Sequence, residues 1–413
     1  MSTAAKEGPR LNNFLTEWDK DLKSIPIGPL GVIPMAGCEE MGRKVNNWLL
    51  KWNSLQEVQD EEFYTQPGAN RDSFLVKCYC PRFGTGESKG VLKESVRGYD
   101  IYIIVDVTAW NKTFKMYGMD VHMSPDDHFA DLKRIIGAIG GKAKRINVIM
   151  PFLYESRQHR KNSRESLDCA MALQELAGLG VSNIITFDAH DPRVQNAIPL
   201  DGFENVMPSY QIMKALCRSV KDLRFDKNSM MFISPDEGAM QRNIYYASLL
   251  SLDLGMFYKR RDYSTIINGR NPIVAHEYLG ADVEGKDCIV VDDMISSGES
   301  VIDLARELKK RKANRIFAAC SFAFFTNGTE AFDKAYRDGI ISRVISTNLT
   351  YLRPEALNSP WFVEADLSKY ISYLIATLNH DRSLHTLLSP QDRIRKLIER
   401  YRADQASNGI SLV

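Results

Sequence analysis

The sequence has almost no excess of charge, no long apolar run and no repeated segment. It contains 53 lysine and arginine residues against 52 aspartate and glutamate residues, a formal net charge of +1. A chain with almost no net charge has no general electrostatic field that attracts nucleic acid or anionic lipid, so we expect neither partner. No apolar run approaches the length of a membrane-spanning helix. Anionic ligands must then be held by local basic clusters, which favours small phosphorylated compounds.

The sequence also lacks a secretory signal and a clear metal-binding cysteine pattern. No apolar stretch follows a basic region within residues 1–20. Of the seven cysteines, only Cys78 and Cys80 lie close together. A C-x-C pair without a second pair or a nearby histidine is a weak zinc signal. We therefore expect buried free thiols and a reduced, cytoplasmic protein.

The 413 residues, 44% hydrophobic and 25% charged, are enough for two globular domains. Predicted apolar strands are 31–35, 101–107, 146–150, 184–187, 231–233, 254–258, 288–291 and 316–325. Apolar residues recur at helical spacing within 41–52, 129–139, 167–176, 210–216, 239–249 and 301–308. This alternation indicates α/β domains with parallel sheets covered on both faces. The predicted organisation is an N-terminal arm (1–27), an N-terminal α/β domain (28–207), a C-terminal α/β domain (208–390) and a C-terminal tail (391–413).

The strongest motif follows the predicted strand 288–291. It combines two adjacent acids with a hydroxyl-rich loop that leads into a helix: Asp292, Asp293, Ser296, Ser297, Gly298 and Ser300. Adjacent carboxylates can accept hydrogen bonds from a vicinal diol. Hydroxyl groups and the free N–H groups of a helix start can hold a phosphate, and glycine lets the backbone come close to it.

The same loop also fits a structural pattern, the capping box, with Ser296 as N-cap and Glu299 three residues later. The two interpretations are compatible. Capping does not account for two carboxylates placed side by side after a buried strand, because their repulsion must be offset by a ligand or by donors. We therefore favour a functional role for this segment.

This segment resembles the PRPP-binding signature shared by phosphoribosyltransferases and PRPP synthetases. The resemblance implies that Asp292 and Asp293 hold the ribose hydroxyls. It implies 5-phosphate binding by the loop residues Ser296, Ser297, Gly298 and Ser300. The sequence departs from the family pattern, because Ser296 replaces an acid, Glu299 occupies a normally uncharged position, and serine replaces threonine at 297 and 300.

Similarity to the PRPP synthetases extends in register from about residue 31 to residue 388. Residues 157–161, Arg-Gln-His-Arg-Lys, resemble the segment that leads into a mobile loop over ATP. Clustered cationic side chains can clamp a triphosphate, and the resemblance implies ATP contacts for Arg157, Gln158 and Lys161. The alternative is a solvated basic face at a helix start, which the helix dipole disfavours.

Three further segments resemble the metal and transfer positions of the synthetases. The Asp-Ala-His at 188–190 implies metal contacts for Asp188 and His190 and an ATP contact for His190. The Ser-Pro-Asp turn implies that Asp236 contacts the metal or the ribose. Taken alone, a histidine after a strand and a Pro-Asp turn fit structural roles. Lys259 and Arg261 resemble the K-x-R that stabilises the transferring group, with a surface basic triplet as the alternative.

Residues 82–87 and 94–98 resemble the adenine-binding elements of the family. In the family an aromatic ring stacks on adenine, and acids contact the base from a neighbouring subunit. The resemblance implies these roles for Phe83 and Glu87, whereas Thr85 replaces an acid. The structural alternative is a hairpin in which Phe83 is a core residue.

The resemblance implies two tandem phosphoribosyltransferase-like domains, each with a mainly parallel sheet flanked by helices. It implies transfer of the β,γ-diphosphoryl group of ATP to the anomeric hydroxyl of ribose 5-phosphate, with Mg²⁺ as cofactor. The implied catalytic residues are Lys259, Arg261 and Arg157. Adenine sites shared between subunits imply a homo-oligomer built from dimers, up to a hexamer. Two alternatives stay open: a phosphoribosyltransferase that consumes PRPP, and a non-catalytic regulatory homologue.

Overall fold

The computed structural model describes residues 25–57, 71–261 and 273–407, with the backbone alone at 54–57, 259–261 and 273–276. Most of the predicted arm, 1–27, and the segment 58–70 lie outside the described residues. Among the helices that are described, none is both long enough and apolar enough to cross a membrane.

Strands and helices alternate in the first half of the chain. The strands are β1 (Leu30–Pro34), β2 (Cys78–Tyr79), β3 (Val91–Leu92), β4 (Asp100–Ile104), β5 (Thr113–Met116), β6 (Met119–His122), β7 (Arg145–Ile149), β8 (Asn183–Phe187) and β9 (Gly202–Val206). The helices are α1 (Glu39–Glu57), α2 (Pro125–Ile139) and α3 (Asp168–Gly178), and a 3₁₀ helix covers Pro192–Ala197. Helix α2 begins with a capping box between Ser124 and Asp127, so local sequence sets its start.

Five of these strands form a sheet in the order β1-β4-β7-β8-β9. The pairs β1·β4, β4·β7 and β7·β8 are parallel. All five residues of β4 are buried, as expected for a parallel strand covered on both faces. The short strands pair separately as antiparallel ladders, β2 with β3 and β5 with β6.

The second half of the chain repeats the alternation. Its strands are β10 (Met230–Ser234), β11 (Asp253–Arg261), β12 (Ile273–Gly280), β13 (Asp287–Ile295), β14 (Ile316–Ala323), β15 (Arg343–Thr347) and β16 (Phe362–Ala365). Its helices are α4 (Ser209–Ser219), α5 (Met240–Leu250), α6 (Glu299–Lys310), α7 (Glu330–Arg337), α8 (Pro354–Leu357), α9 (Ser368–Asn379), α10 (His385–Leu388) and α11 (Gln391–Ser407).

The seven strands form a second sheet in the order β12-β11-β10-β13-β14-β15-β16. Only β11·β12 is antiparallel among the pairs that the described strands make in this sheet. All eight residues of β14 are buried. Aromatic rings of Phe325, Phe332 and Trp361 pack in the core with centroids 5.0 to 5.6 Å apart.

The chain divides into two compact units, and each is discontinuous in sequence. The first contains Met1–Thr186, Arg193–Glu204 and Ser368–Leu388, and the second contains Phe187–Pro192, Asn205–Leu367 and Ser389–Val413. Helix α9 therefore belongs to the first unit, although it falls within the range 208–390 of the predicted second domain. In that unit Tyr373 of α9 stacks on Trp52 of α1 with ring centroids 4.4 Å apart.

The predicted α/β class, with mainly parallel sheets flanked by helices, is confirmed. Two details differ from the sequence prediction. Strand β13 continues to Ile295, four residues beyond the predicted 288–291. Within the predicted tail 391–413, residues 391–407 form a helix, α11, that the sequence did not predict.

The cysteines are free in this structure. Cys78 and Cys80 are half-buried, and only Cys78 lies in a strand. Burial raises the pKa of the Cys78 thiol to about 11 and that of Cys80 to about 12, with the charge of Asp131 as a further cause. Both thiols therefore stay protonated at neutral pH.

Candidate active site

Asp292 and Asp293 lie inside strand β13 rather than after it. Because side chains alternate along a strand, the two carboxylates have different surroundings. The side chain of Asp293 is 5% exposed, whereas that of Asp292 is 28% exposed. The pair thus combines one buried acid with one that solvent or a ligand can reach.

The structure brings His190 to this acid pair within the second unit. Nδ1 of His190 donates to Oδ2 of Asp293 at 2.6 Å. The His190 side chain is 39% exposed, so the buried acid has a partner that solvent can reach. The sequence placed His190 and Asp293 in different motifs, and the fold joins them.

Asp188 and Arg242 form a buried ion pair in the same unit. Nε of Arg242 donates to Oδ1 and Oδ2 of Asp188 at 2.9 and 3.1 Å, and Nη2 donates to Oδ1 at 2.8 Å. Ser321 Oγ donates to Oδ2 of Asp188 at 2.5 Å. Both carboxylate oxygens are therefore already held, which argues against the predicted role of Asp188 as a metal ligand.

The acid pair has opposite pKa shifts. Burial, and then the charge of Asp293, raise the pKa of Asp292 well above its ordinary value of 3.8. Burial alone would also raise the pKa of Asp293, but the hydrogen bond from His190 and the charge of Arg242 outweigh it and lower this pKa. Asp293 is thus the stably charged member, and Asp292 is the member whose charge lacks full compensation.

Asp236 lies in the turn between β10 and α5. Its Oδ1 accepts from the backbone N of Ala239 at 3.1 Å, and its backbone carbonyl accepts from Ser234 Oγ at 2.8 Å. The structural role expected of a Pro-Asp turn is therefore present. The charge of Asp236 also contributes to the raised pKa of Asp292, which places the two carboxylates in one electrostatic neighbourhood.

The hydroxyl loop differs from the predicted capping box. Helix α6 starts at Glu299, its N-cap is Gly298, and no side chain caps it. Gly298 has φ 89°, a left-handed conformation that favours glycine. A Cβ on Gly298 would lie 2.2 Å from Cε2 of Phe332. Gly298 is therefore needed for chain geometry and for packing against Phe332, in addition to any role near a ligand.

The side chains around that loop are accessible to different degrees. Ser296 and Ser297 are half-buried, and Ser300 is exposed in the first turn of α6. Asn327 Nδ2 donates to Oε1 of Glu299 at 3.4 Å, so the Glu299 carboxylate has a partner outside the helix start.

The basic segment predicted to contact ATP is a loop in the first unit. Arg157 and Lys161 are exposed, and helix α3 begins only at Asp168, so the alternative of a basic helix start is wrong. Nε2 of Gln158 donates to the carbonyl of Ser166 at 2.8 Å. Gln158 thus holds the loop together through its Nε2, and its predicted ATP contact stays a prediction.

The predicted adenine-binding turn is also in the first unit. The Phe83 side chain is 55% exposed, so the alternative that it is a core residue is wrong. The backbone N of Phe83 donates to the carbonyl of Glu87 at 2.7 Å and closes the turn. Thr85 Oγ1 donates to Oε2 of Glu87 at 2.8 Å, which occupies one carboxylate oxygen.

Lys259 and Arg261 lie at the end of strand β11, where the backbone alone is described. Lys259 pairs with His276 of β12, and the register shifts between Arg260 and Arg261. Whether both side chains face one pocket lies outside the described residues and stays a prediction.

Sequence reasoning missed two residues of the second-unit cluster, which consists of Asp188, His190, Arg242, Asp292, Asp293 and Ser321. Ser321 lay in the predicted apolar strand 316–325, and Arg242 lay in the predicted helical stretch 239–249. The available signal for Ser321 was that a hydroxyl residue lies within an otherwise apolar strand. A buried hydroxyl group needs a hydrogen-bond partner. Nothing local to Arg242 indicated that its partner is Asp188, which lies 54 residues away in sequence.

Two family models match this chain. The N-terminal domain of ribose phosphate pyrophosphokinase matches residues 34–180, and the phosphoribosyl transferase domain matches residues 201–350. The ribose-phosphate pyrophosphokinase of Vibrio cholerae serotype O1 is 26% identical over 75% of this chain and 90% of its own length. That of Oceanobacillus iheyensis is 29% identical over 65% of this chain and 75% of its own length.

A solved structure shows the same fold. The crystal structure of phosphoribosylpyrophosphate synthetase from Mycobacterium smegmatis matches with a TM-score of 0.65 at 20% identity, covering 86% of this chain and 99% of that one. The fold is therefore that of two tandem phosphoribosyltransferase-like domains. Together with the two family models, which match most of its length, this shows that the chain belongs to the ribose-phosphate pyrophosphokinase family.

Proposed function

We propose that this chain transfers the β,γ-diphosphoryl group of ATP to the anomeric hydroxyl of ribose 5-phosphate, giving PRPP and AMP. The observation that carries the proposal is the acid pair of β13, with Asp293 bonded by His190 and Asp292 partly exposed. Such a pair suits a sugar with neighbouring hydroxyl groups, because each hydroxyl can donate to a carboxylate oxygen.

The 5-phosphate is proposed to bind at the loop before α6. The side chains of Ser296, Ser297 and Ser300 offer hydroxyl donors. The twelve-residue helix α6 adds its positive dipole end and free backbone N–H groups. Asn327 donates a hydrogen bond to the Glu299 carboxylate. This bond supports phosphate binding, because it partly offsets the negative charge that would otherwise repel a phosphate.

The nucleotide is proposed to bind the first-unit elements. The exposed ring of Phe83 is available to stack on adenine. Glu87 is proposed to contact the base, although Thr85 already donates to one of its oxygens. Arg157 and Lys161, both exposed, are proposed to hold the phosphates by charge-assisted hydrogen bonds.

The proposed cofactor is Mg²⁺, and the described residues contain no group of three side chains that could hold a metal ion without further ligands. Three carboxylates, those of Asp188, Asp292 and Asp293, face one permanent cation, Arg242. Mg²⁺ binds through one or two carboxylates together with substrate phosphates and water, rather than in an all-protein cage. His190 and Asp236 are the proposed contacts. When bound, Mg²⁺ would offset the charge of the phosphate oxygens.

In the proposed reaction the anomeric oxygen forms a bond to the β-phosphorus of ATP. The bond from that phosphorus to the oxygen shared with the α-phosphate breaks, AMP leaves, and the hydroxyl proton is released. Positioning and charge supply most of the rate in such transfers. Lys259, Arg261 and Arg157 are the proposed cations for the transferring group. Adenine contacts shared between subunits would require a homo-oligomer built from dimers.

The test is to mix the protein with Mg²⁺, ATP and ribose 5-phosphate and to measure AMP and PRPP by ion-exchange chromatography. The proposal predicts AMP only when the sugar phosphate is present. A regulatory homologue without activity is the second candidate, supported by the Thr85 bond to Glu87. It predicts no AMP under any phosphate concentration. A phosphoribosyltransferase would consume added PRPP and form no AMP.

A further inference from the structure

The Asp188–Arg242 pair is one of the most strongly fixed polar contacts of the second unit. The side chains are 4% and 10% exposed. Nε and Nη2, one edge of the guanidinium, both contact the Asp188 carboxylate, and Ser321 contacts its second oxygen. A fork of this kind is specific to arginine and carboxylate geometry.

The backbone of Asp188 is also held in an uncommon conformation. Its φ is 43°, which a residue with a Cβ rarely adopts. The Asp188 N–H donates to the carbonyl of Val206 at 3.0 Å, and the Ala189 N–H donates to Oδ1 of Asn205 at 2.9 Å. Strain of this kind persists where the surroundings fix it, often at functional sites. The segment that presents His190 is therefore fixed at its start.

Arg242 also lies close to the acid pair and forms an ion pair with Asp292, without a direct hydrogen bond. Nη1, on the other edge of the guanidinium, is 3.7 Å from Oδ1 of Asp292. This distance exceeds that of a hydrogen bond. Asp188 occupies the Nε–Nη2 edge of Arg242, so this edge is not available to Asp292 or Asp293.

We propose that Asp188 is a positioning residue that keeps Arg242 occupied, rather than a metal ligand, so that Asp292, the accessible member of the acid pair, stays available to ribose 5-phosphate. The proposal rests on the proposed function, because it concerns the same sugar site. Without Asp188, the buried guanidinium lacks its partner and the nearest carboxylates are those of the acid pair. A buried charge that loses its hydrogen-bonded partner is costly, so Arg242 would then form direct hydrogen bonds to them.

The test is a double-mutant cycle on ribose 5-phosphate affinity, measured by isothermal titration calorimetry with the full chain. Asp188→Asn should weaken binding at least tenfold, because the freed Arg242 competes for the acid pair. Adding Arg242→Gln to Asp188→Asn removes both charges and should restore the Kd to within about threefold of the parent. The titrations are run in EDTA and again in saturating MgCl₂.

A metal ligand behaves differently in the same cycle. If Asp188 holds Mg²⁺, Asp188→Asn leaves the affinity in EDTA unchanged, and the double variant binds as weakly as the single variant in MgCl₂. Either result overturns the proposal. A parent protein that binds no ribose 5-phosphate in either buffer contradicts the proposed function instead, so the two failures are distinguishable.

A matched control lies at the other end of β13. Asp287 is buried and accepts a similar fork from Arg315, at 3.1 Å from Nε and 2.6 Å from Nη2. Asp287→Asn breaks an equivalent pair outside the sugar site, so it should lower the melting temperature and leave the Kd unchanged. An equal loss of affinity in Asp287→Asn would show a general effect of folding and would overturn the proposal.

A second variant covers the case in which Asp188→Asn does not fold. Arg242→Lys keeps the positive charge but cannot contact both carboxylate oxygens as a fork. The proposal predicts weaker ribose 5-phosphate binding in EDTA for this variant, by about fivefold to tenfold. Unchanged affinity in EDTA would contradict it.

Discussion

At the scale of single residues, Asp292 and Asp293 are neighbours in sequence with opposite electrostatics. Asp293 is held in its charged form by His190 and Arg242, whereas burial raises the pKa of Asp292. A carboxyl group whose pKa is raised in the folded state lowers the free energy of unfolding at pH values above that pKa. This loss of stability disappears at pH values below the unfolded-state pKa of 3.8. Asp292 therefore lowers the stability of the protein at neutral pH.

Replacing Asp292 by Asn should raise the free energy of unfolding at pH 7 by about 1 kcal/mol, because an uncompensated partly buried charge is removed. The gain should shrink as the pH falls from the raised folded-state pKa of Asp292 towards 3.8, and it should be absent below 3.8. Urea unfolding at pH 7 and at lower pH measures both effects, and a destabilised variant at pH 7 would contradict the assignment. Ribose 5-phosphate binding should be lost, as expected when stability and function compete.

Asp293→Asn is the matched control and should act with the opposite sign. The folded-state pKa of Asp293 is lowered, so its stabilising contribution is present above 3.8 and is lost as the pH falls through the folded-state value. Asp293→Asn should therefore destabilise the protein at pH 7, by about 1 kcal/mol or more. Similar effects of the two variants on stability would contradict the difference between the two carboxylates.

Lys259 is the residue for which we predict the largest effect on turnover. Removing one cation that stabilises a transferring phosphoryl group costs on the order of 100-fold in rate, or about 3 kcal/mol. Lys259→Ala should lower the rate of AMP formation by this factor while ribose 5-phosphate still binds. Lys310→Ala, at the far end of α6, is the control and should leave the rate unchanged. Turnover near that of the parent would remove Lys259 from the mechanism.

At the scale of single elements, the start of helix α6 shows why one glycine is required. Gly298 is both left-handed and in contact with Phe332. The sequence suggested a capping box there, because Ser296 and Glu299 have the right spacing. The structure starts the helix later, since β13 extends to Ile295 and leaves too few residues for that cap.

Gly298→Ala should destabilise the protein by more than about 2 kcal/mol, from backbone strain together with the overlap with Phe332. Gly285 has φ 73° and open space around it, so Gly285→Ala isolates the strain and should cost only about 1 kcal/mol. Chemical denaturation of both variants measures the difference. Equal costs would mean that Phe332 moves aside and that the contact contributes little.

Helix α11 is an element that the sequence did not predict. Tyr401 is buried, donates to the carbonyl of Val220 at 2.7 Å, and accepts from the N–H of Leu223 at 3.0 Å. Gln405 donates to two carbonyls of the same segment, those of Lys221 and Leu223. The helix therefore supplies hydrogen bonds to a loop between α4 and β10 that would otherwise leave buried polar groups unpaired.

Tyr401→Phe should lower the free energy of unfolding by about 1 to 3 kcal/mol, because two buried backbone groups lose their partner. Arg395 is exposed on the same helix, so Arg395→Ala is the control and should change stability by less than about 0.5 kcal/mol. Thermal unfolding of both variants compares them. A neutral Tyr401→Phe would show that water replaces the hydroxyl without cost.

Most strands and helices could be predicted from the sequence because their apolar residues repeat with the period of the element. Strand β4 and helix α2 are clear cases, with continuous apolar residues in one and a stripe in the other. Helix α11 was missed because charged residues dominate it and only a few positions, such as Ile394 and Ile398, are apolar and buried. Its partner surface is formed by distant segments that local periodicity does not reveal.

At the scale of the whole molecule, the candidate site depends on contacts between distant parts of the sequence. The motif residues could be found because family signatures are local. The pairing of Asp188 with Arg242, and of His190 with Asp293, could not be found, because each joins separate strands or helices. For the same reason the sequence placed α9 with the second domain, whereas its contacts with α1 place it in the first unit.

The central claim is that both outer phosphoryl groups of ATP move together to the sugar. The most direct measurement is ³¹P NMR of a mixture of the protein, Mg²⁺, ATP and ribose 5-phosphate. The account predicts that the ATP signals are replaced by those of AMP and of a diphosphate attached to the anomeric carbon. Formation of ADP with a sugar bisphosphate, or unchanged ATP signals, would contradict it.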